Sequence, residues 1–354
     1  MTDLQRLRYS RQMRLPEVGQ EGQRRLSDAS VLVIGAGGLG SPSLHHLAAS
    51  GVGRIGVVEF DTVDVSNLHR QTLYSTADVG SPKLDATMRR LADVNPHVEL
   101  VPHAGRLRAD NARDLVGGYD VVLDGSDTFS TRYAVNDASV ATGVPTVYAS
   151  VNQFSGQASV LGAENGPCYR FLFPEPPPAG LIPNCEDGGV LGVVPALLGT
   201  IQATEALKLI LGIGRPLIGR LLLVDVLAME TREIEFAKDP DCPACGADRQ
   251  PVAADDVREV TVSELRGRPD GSYVLLDVRE PSERERDDVG GRLIPLGQLG
   301  ARVAELDDAR DRPVVVYCAS GGRSAQAARL LGERGFDAVS LRGGLAAWRA
   351  SEAA

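Results

Sequence analysis

The chain has no excess of positive charge, which limits the classes of partner that it can bind. Lys and Arg total 37 residues against 47 Asp and Glu, so the net charge is −10 at pH 7. Nucleic acids and anionic membrane surfaces bind basic patches, which an acidic chain rarely offers. We therefore predict a soluble protein with no nucleic-acid partner and no membrane partner.

The chain also has no long uninterrupted apolar run. Residues 1–15 mix Asp3 with four arginines and contain no apolar core of the kind found in signal peptides. The most apolar stretch, residues 189–212, includes Gln202, Glu205 and Lys208 at helical spacing. This spacing favours a helix buried in a protein core over a membrane span.

Cysteine is scarce, and its count is odd, with five residues. Two of the five form a Cys-x-x-Cys pair. In a chain without a recognisable leader, this pattern favours reduced thiols, a metal site or catalysis over a disulfide framework. We therefore expect the protein to be cytoplasmic.

The chain does have length and a regular alternation of strands and helices. Its 354 residues, 43% of them hydrophobic, suit two domains. The alternation from residue 29 to residue 150 predicts an α/β fold with a Rossmann-like, doubly wound and largely parallel sheet, which strands at 221–227 and 231–236 complete. We place this domain at residues 1–248, a polar linker at 249–256 and a second, smaller α/β domain at 257–354.

A glycine-rich turn follows the first strand and opens a helix, with the sequence Gly35-Ala-Gly37-Gly38-Leu-Gly40. Backbone N–H groups in such a turn can approach a phosphate at the positive end of the helix. Glu59 and Asp61 end the next strand, where an acidic side chain can bind ribose hydroxyls. Taken alone, these features predict a dinucleotide site and suggest NAD.

Cationic and acidic side chains follow two further strands. Arg70 and Lys83 can neutralise the phosphates of a triphosphate, and Asn67 lies beside Arg70 in the chain. Asp127 follows a later strand, and a carboxylate that faces triphosphate oxygens most naturally binds Mg²⁺. Because these residues all fall at strand ends on one side of the sheet, they favour ATP with Mg²⁺ over NAD.

These motifs resemble the MoeB/ThiF family, bacterial relatives of the ubiquitin-activating enzymes. The resemblance covers residues 1–248 and is carried by the glycine turn, Asp61, Lys83 and the runs Arg8-Tyr-Ser-Arg11-Gln, Asn67-Leu-His-Arg70-Gln71 and Leu123-Asp-Gly-Ser-Asp127. It implies adenylation, with ATP, of the C-terminal glycine of a ubiquitin-like sulfur carrier protein that ends in Gly-Gly, with release of pyrophosphate.

The resemblance also implies a role for each residue around the nucleotide. The glycine turn and Asn67 contact the phosphates, with Gln71 in the same site. Asp61 binds the ribose. Arg70 and Lys83 stabilise the triphosphate, so both are expected to be catalytic.

Two more expectations depend on the same resemblance. Asp127 binds Mg²⁺, and Arg11 reaches the γ-phosphate from the partner subunit of a homodimer. The family usually has Asn after the Mg²⁺-binding Asp, whereas this chain has Thr128. The residues around the metal therefore differ from the family pattern, while the carboxylate itself is present.

Cys242-Pro-Ala-Cys245 has the spacing of a metal-binding knuckle. The MoeB/ThiF family pairs it with an earlier Cys-x-x-Cys to make a structural, tetrahedral zinc site. Here the earlier motif is Cys168-Tyr-Arg-Phe171, so Phe171 stands in place of the fourth ligand. Two alternatives stay open: another side chain or water completes a Zn²⁺ site, or the three cysteines are ordinary reduced thiols.

Cys185 lies in a long segment rich in Pro and Gly, residues 173–192. A segment of that length is either a functional loop or disordered. The MoeB/ThiF family places a reactive cysteine at this position, which implies a covalent role, as a thioester or in a disulfide relay. The alternative is an incidental loop cysteine.

Cys318 follows a predicted strand and opens a six-residue loop before a helix, with the sequence Cys318-Ala-Ser-Gly-Gly-Arg323. Backbone N–H groups and the helix N-terminus can favour the thiolate there, which gives a nucleophile competent at neutral pH. Four residues separate Cys from Arg. The related cysteine phosphatases need five to surround a phosphate, so the shorter loop suits a terminal sulfur atom.

Residues 255–350 resemble the rhodanese-like domains. The resemblance is carried by the Cys318 loop, by an earlier run and by a later one, Leu276-Asp277-Val-Arg279-Glu280 and Leu341-Arg-Gly-Gly344-Leu-Ala-Ala-Trp348. It implies a sulfurtransferase in which Cys318 carries a persulfide, charged by a sulfur donor such as a cysteine desulfurase or thiosulfate.

Together the motifs predict a fused adenylyltransferase and sulfurtransferase that leaves a thiocarboxylate on its carrier. Two alternatives are an NAD-dependent oxidoreductase and a non-catalytic module that binds a ubiquitin-like partner. The sequence leaves the carrier open, and therefore also the pathway: molybdenum cofactor, thiamine, cysteine, thiolated tRNA or a sulfur-containing secondary metabolite.

Overall fold

A computed structural model of the protein describes residues 1–175, 188–246, 257–269, 271–319 and 321–352. The described residues fall into two compact units, one before residue 247 and one after residue 256. Each unit has a hydrophobic core of its own. The predicted linker at 249–256 and Cys185 lie outside the described residues.

The first unit alternates strands and helices along most of its length. Its strands are β1 Ser30–Ile34, β2 Arg54–Glu59, β3 Glu99–Ala104, β4 Val121–Asp124, β5 Thr146–Asn152, β6 Ser155–Leu161, β7 Arg220–Asp225 and β8 Glu230–Glu235. Its α-helices are α1 Asp3–Arg8, α2 Gly19–Asp28, α3 Gly40–Ser50, α4 Lys83–Val94, α5 Ala109–Gly117, α6 Phe129–Thr142, α7 Tyr169–Leu172 and α8 Val193–Leu211. Three short 3-10 helices cover Gln12–Arg14, Val65–Asn67 and Thr76–Asp78.

The eight strands form one mixed sheet in the order β3-β2-β1-β4-β5-β6-β7-β8. The five strands from β3 to β5 are parallel, and the last three pairings are antiparallel. The predicted doubly wound α/β sheet is confirmed. The prediction of a largely parallel sheet missed β6, which follows β5 through a two-residue turn at Gln153 and Phe154.

The apolar segment predicted as a buried helix is α8, which packs against α3 and the sheet. Among the described residues, α8 alone has the length and apolar composition to cross a membrane. Its polar side chains have partners inside the protein. Gln202 donates to the carbonyl oxygens of Asp124 and Val147 at 2.8 and 2.9 Å, and Glu205 accepts the N–H of Leu217 at 2.7 Å.

The second unit is a small α/β domain. Its strands are β9 Glu259–Val260, β10 Val274–Asp277, β11 Arg292–Leu293, β12 Val314–Tyr317 and β13 Ala338–Leu341. Its helices are α9 Val262–Arg266, α10 Pro281–Arg284, α11 Leu296–Arg302, a 3-10 helix Val303–Ala309, α12 Gly322–Glu333 and α13 Gly344–Glu352. All strands pair in parallel, in the order β11-β10-β12-β13-β9, so the buried strand β12 ends between β10 and β13.

Candidate functional site

The glycine turn joins β1 to the N-terminus of α3, as predicted. Gly35 has a φ of +84°, which favours glycine. A Cβ atom on Gly40 would lie 1.9 Å from the carbonyl oxygen of Gly35. Only glycine fits at position 40, and the turn therefore exposes bare backbone at the positive end of α3.

Two side chains from outside the turn hold its backbone in place. The carboxylate of Glu59 accepts the N–H of Ala36 at 2.8 Å and, through its other oxygen, the N–H groups of Phe60 and Asp61 at 2.8 and 3.0 Å. The buried Tyr74 hydroxyl donates to the carbonyl oxygen of Ala36 at 2.9 Å. Glu59 therefore stabilises the turn. Of the two predicted acidic residues, Glu59 and Asp61, only the exposed Asp61 can face a ribose.

Gln71 lies under the turn with an unused acceptor. Its side chain is 4% exposed, and its Oε1 atom has no hydrogen-bond partner within the described residues. Its Nε2 atom is 3.7 Å from the place where a Cβ on Gly37 would be. An unpaired polar atom is costly in a buried site, so this one indicates a ligand or water at the glycine turn. Asn67 closes the same bend, since its carbonyl oxygen accepts the N–H of Gln71 at 3.0 Å.

Arg70 lies against the turn, and Lys83 is paired with Asp61, which follows β2. The Cγ atom of Arg70 is 3.7 Å from the place of a Cβ on Gly38, and its Nη1 atom donates to the carbonyl oxygen of Ser66 at 2.9 Å. Lys83 begins α4, and its Nζ atom is 2.6 Å from Oδ2 of Asp61. The structure thus brings together the turn, both cations and Asp61.

Asp127 follows β4, whose last residue pairs in register with the last residue of β1. Asp127 is exposed, and no hydrogen bond or ion pair engages it within the described ranges. Thr128, which stands where the family has Asn, caps α6 by accepting the N–H of Thr131 at 3.4 Å. An exposed carboxylate with open lone pairs beside a phosphate-binding turn fits Mg²⁺.

Arg11 is the predicted site residue that the structure does not bring to the turn of its own chain. It precedes the 3-10 helix Gln12–Arg14, and the side chain of Gln12 donates to the carbonyl oxygen of Ser50 at 3.1 Å. Ser50 ends α3, whereas the glycine turn begins it. Eleven helical residues span about 16 Å, so Arg11 lies at the far end of α3.

Sequence reasoning missed Arg132. Its Nη2 atom donates to the carbonyl oxygen of Ser126, at 3.2 Å, in the loop that carries Asp127. Its guanidinium lies 5.5 Å from the centre of the Tyr148 ring, and its Nε atom is buried with no partner among the described residues. The signal available in the sequence was a cationic residue about one helical turn after the N-cap of α6.

The three remaining cysteines of the first unit form a cluster. The Sγ atoms of Cys168, Cys242 and Cys245 all lie within 4.8 Å of one another, and Cys168 and Cys242 are 3.9 Å apart. Burial raises the pKa of Cys168, whereas backbone N–H donors from Cys245 and Ala244 lower the pKa of Cys242 against the effect of burial.

The spacing of these thiols fits three corners of a zinc tetrahedron, where Zn–S bonds of about 2.3 Å place sulfurs about 3.8 Å apart. The fourth corner has no protein ligand among the described residues. Phe171, which stands in that sequence position, packs against the cluster and stacks on the Phe236 ring at 6.0 Å between centroids. The residues present therefore fit a zinc ion only in part.

Cys318 lies at the end of β12, at the N-terminus of α12. Its Sγ atom accepts the N–H of Gly321 at 3.1 Å and lies 3.6 Å from the Ser324 hydroxyl. Gly321 has a φ of +101°, and a Cβ on Gly344 would lie 2.3 Å from the Cys318 carbonyl oxygen. Glycines thus let the loop close around a sulfur that is 1% exposed.

Both arginines beside this loop are paired with carboxylates. Arg323 donates from Nη1 and Nη2 to the two oxygens of Glu283, at 2.6 Å each. Arg279 donates to Asp277 from Nε and Nη2 at 3.0 and 2.7 Å. Asp277, Arg279 and Arg323 lie in the runs that carry the rhodanese-like resemblance, whereas Glu283 lies outside them and was not predicted.

The first unit thus defines a nucleotide-binding α/β enzyme, and the second carries a cysteine loop suited to sulfur. Residues 9–244 match the ThiF family, and residues 261–351 match the rhodanese-like domain. The chain belongs to the ThiF family, with a rhodanese-like domain after it. Both predicted resemblances are confirmed.

Curated relatives match this chain along its length. The probable adenylyltransferase/sulfurtransferase MoeZ of Mycobacterium tuberculosis is 45% identical over 367 residues, covering 96% of this chain and 92% of that protein. A sulfur carrier protein adenylyltransferase of Thermus thermophilus is 54% identical over 244 residues, covering 68% of this chain and 90% of that protein. The SAMP-activating enzyme E1 of Haloferax volcanii is 47% identical over 239 residues, covering 68% of this chain and 88% of that protein.

Solved structures agree on the fold. E. coli MccB superimposes with a TM-score of 0.61 at 21% identity, covering 71% of this chain and 75% of that chain. The curated relatives make the chain an adenylyltransferase and sulfurtransferase that uses ATP. The choice between this class and an NAD-dependent oxidoreductase is decided in favour of the former.

Proposed function

We propose that the chain adenylates the C-terminal glycine of a ubiquitin-like sulfur carrier ending in Gly-Gly and then converts it to a thiocarboxylate with sulfur from Cys318. The observation that carries the proposal is the presence, on one chain, of a nucleotide turn with an unpaired buried acceptor at Gln71 and a Cys318 loop closed around its sulfur. The names of the relatives support the carrier as substrate.

In the first step, the carrier carboxylate attacks the α-phosphorus of ATP. A P–O bond forms, the bond to the β-phosphate breaks, and pyrophosphate leaves. The glycine turn would hold the phosphates with backbone N–H groups, while Arg70 and Lys83 balance the charge that develops on the leaving group. The Lys83 side chain would leave Asp61 and bind phosphate oxygens. Asp61 could then bind the ribose.

Asp127 is the residue proposed to hold Mg²⁺. When bound, the ion would neutralise phosphate charge. Arg132 would support this loop, because it ties the carbonyl of Ser126 and is fixed by its contact with Tyr148.

In the second step, the terminal sulfur of a Cys318 persulfide attacks the acyl carbon of the adenylate. A C–S bond forms and AMP leaves, which gives an acyl disulfide between carrier and Cys318. A thiolate, in our proposal Cys185, then attacks the Sγ atom of Cys318. The disulfide bond breaks, the thiocarboxylate leaves, and a thiol reductant must reduce the resulting Cys185–Cys318 disulfide.

Four further assignments belong to this proposal. The placement of Arg11 far from the glycine turn of its own chain supports a role for it across a homodimer. The three-cysteine cluster would bind Zn²⁺ only with a fourth ligand from outside the described residues. The sulfur donor would be a cysteine desulfurase or thiosulfate, and the site of action would be the cytoplasm, where thiols stay reduced.

The decisive experiment is ATP–pyrophosphate exchange with a panel of Gly-Gly carriers, followed by intact-mass detection of the thiocarboxylate. We expect exchange with at least one carrier and thiocarboxylate only when a sulfur donor is added. Cys318→Ser should keep the exchange and lose the thiocarboxylate. Absence of exchange with every carrier would contradict adenylation and favour a non-catalytic module that binds a ubiquitin-like partner.

A further inference from the structure

In the second unit, two arginines, one near Cys318 in the sequence and one just after the neighbouring strand, are paired with carboxylates. Arg323 is the last residue of the Cys318 loop, and Glu283 meets it with two hydrogen bonds of 2.6 Å. Arg279 follows β10, the strand beside β12, and its guanidinium is bound by Asp277. The positive charge of each of these arginines is therefore offset by a carboxylate.

The Glu283 carboxylate is held for this contact. Its Oε2 atom also accepts the N–H of Glu280 at 3.0 Å, at the start of α10. The side chains of Arg323 and Glu283 are only 30% and 29% exposed, so water screens the pair partly. The hydrogen bonds from Arg323 lower the pKa of Glu283, so the carboxylate stays ionised at neutral pH.

We propose that Glu283 is a specificity-determining residue, which neutralises Arg323 and so makes the Cys318 loop select a persulfide over thiosulfate as its sulfur donor. The inference rests on the proposed function of Cys318 as a persulfide carrier. It goes beyond that function, because it chooses between two classes of donor and names the residue that sets the choice.

The two donors differ in the charge that they bring to the thiolate. With a persulfide, the Cys318 thiolate attacks the terminal sulfur, an S–S bond forms, the donor S–S bond breaks, and the donor leaves as a thiolate. With thiosulfate, the same attack expels sulfite, and a dianion must first come against the thiolate. An uncompensated cation nearby lowers the free-energy cost of bringing a dianion to an anion, and the Glu283 carboxylate offsets the charge of Arg323.

The test measures transfer to Cys318 in the full chain with two probes, thiosulfate and cysteine persulfide. The readout is the ratio of kcat/KM for thiosulfate to kcat/KM for the persulfide. Glu283→Gln should raise this ratio about tenfold, mainly through a lower KM for thiosulfate, since the charge of Arg323 is then no longer offset by the Glu283 carboxylate and can attract the dianion. Glu283→Ala should act in the same direction, and circular dichroism would verify that both variants fold.

Two matched variants separate this effect from a general change in charge. Asp308→Asn also removes one carboxylate from a pair with an arginine, Arg292, in the same unit, and it should leave the ratio unchanged. The double variant Glu283→Gln with Arg323→Gln should lose the gain, because the cation is gone.

An unchanged ratio in Glu283→Gln, or a wild-type chain that prefers thiosulfate, would overturn the inference while leaving the role of Cys318 intact. If neither probe charges Cys318 in the wild-type chain, the proposed sulfur transfer itself fails. These outcomes are distinguished by intact mass of the charged chain, with Cys318→Ala as the blank.

Discussion

Two carboxylates, one at the end of β4 and one on the loop that follows, show how surroundings give neighbouring residues different roles. Asp124 is buried, accepts the N–H and the hydroxyl of Ser126, and has a pKa that burial raises. Asp127 is exposed, and nothing in the described part of the chain pairs with it. Asp124 therefore stabilises the loop, and Asp127 is the carboxylate that can face a ligand.

Asp127→Asn should lower ATP–pyrophosphate exchange by about 100-fold or more, because it removes a charge that we place against the triphosphate. Stability should change by less than about 0.5 kcal/mol, since the side chain is exposed and unpaired. The measurement is exchange rate against Mg²⁺ concentration. Asp93→Asn, an exposed carboxylate on α4, is the control and should leave the rate as it is.

Single residues of the site could be predicted where chemistry and position in the chain coincide. Position in the sequence was enough to predict three residues that follow strands: Arg70, Lys83 and Asp127. Glu59 and Glu283 could not, because their roles depend on which backbone N–H or guanidinium the fold brings to them. Those contacts cross 23 and 40 residues of chain, a separation that leaves no local pattern.

At the scale of elements, the glycine turn is a short segment that must both fold tightly and leave space for a ligand. Gly40 is required for folding, because any side chain there would overlap the carbonyl of Gly35. Gly37 has room for a methyl group, since the nearest atom beyond its neighbours is Nε2 of Gln71 at 3.7 Å. Its lack of a side chain therefore serves the ligand.

Gly40→Ala should destabilise the chain by about 1–3 kcal/mol, as expected when a methyl group is forced against backbone. Gly37→Ala should keep stability within about 0.5 kcal/mol and weaken ATP binding, because its methyl group points into the space proposed for phosphate. Urea denaturation gives the first quantity, and calorimetric titration with ATP gives the second. Equal loss of stability in the two variants would contradict this division of roles.

Most strands and helices followed from the alternation of apolar runs and turn residues, and β6 is the exception. The turn that leads into it places Gln153 at a φ of +50°, where Gly, Asn or Asp is usual. Without such a residue at position 153, the turn between β5 and β6 lacks its usual signal. Of the three strands that extend the sheet, β7 and β8 were predicted as strands, whereas β6 and the antiparallel pairing were not predicted.

The cysteine cluster lacks the fourth cysteine of the family's two metal-binding motifs. Restoring that cysteine is a direct test of zinc binding. Phe171→Cys should raise zinc affinity by about 100-fold or more, because it supplies a fourth thiolate to a site that already holds three. The matched control is Phe171→Ala, which loses the same ring against Phe236 and adds no sulfur. Competition with a chromogenic chelator measures affinity, and a wild-type chain that binds zinc as tightly as the cysteine variant would contradict the prediction.

At the scale of the whole molecule, one chain carries both the activation site and the sulfur-carrying site. Relatives that match both units, such as MoeZ at 96% coverage of this chain, have the same order of domains. In the proposed function, covalent connection of the two sites would raise the effective concentration of persulfide around the acyl-adenylate. A reactive adenylate would then be captured before water can hydrolyse it.

The last prediction concerns Arg11, which lies at the far end of α3 from the glycine turn of its own chain. If a homodimer supplies Arg11 across its interface, Arg11→Ala and Asp127→Asn should each abolish most of the exchange activity. Mixing the two variants should then restore about a quarter of the wild-type rate, because half of the dimers are mixed and each mixed dimer has one intact site. Exchange assays after subunit mixing measure this recovery.

The control mixture combines Lys83→Ala with Asp127→Asn, two changes within the site of a single chain. Every dimer that forms from this pair has a defect in both sites, so no activity should return. Recovery in the first mixture and none in the second would assign Arg11 to the partner's site. If neither mixture recovers activity although mixed dimers form, Arg11 acts within its own chain, and the Gln12 contact that holds it at the far end of α3 must then break during the reaction.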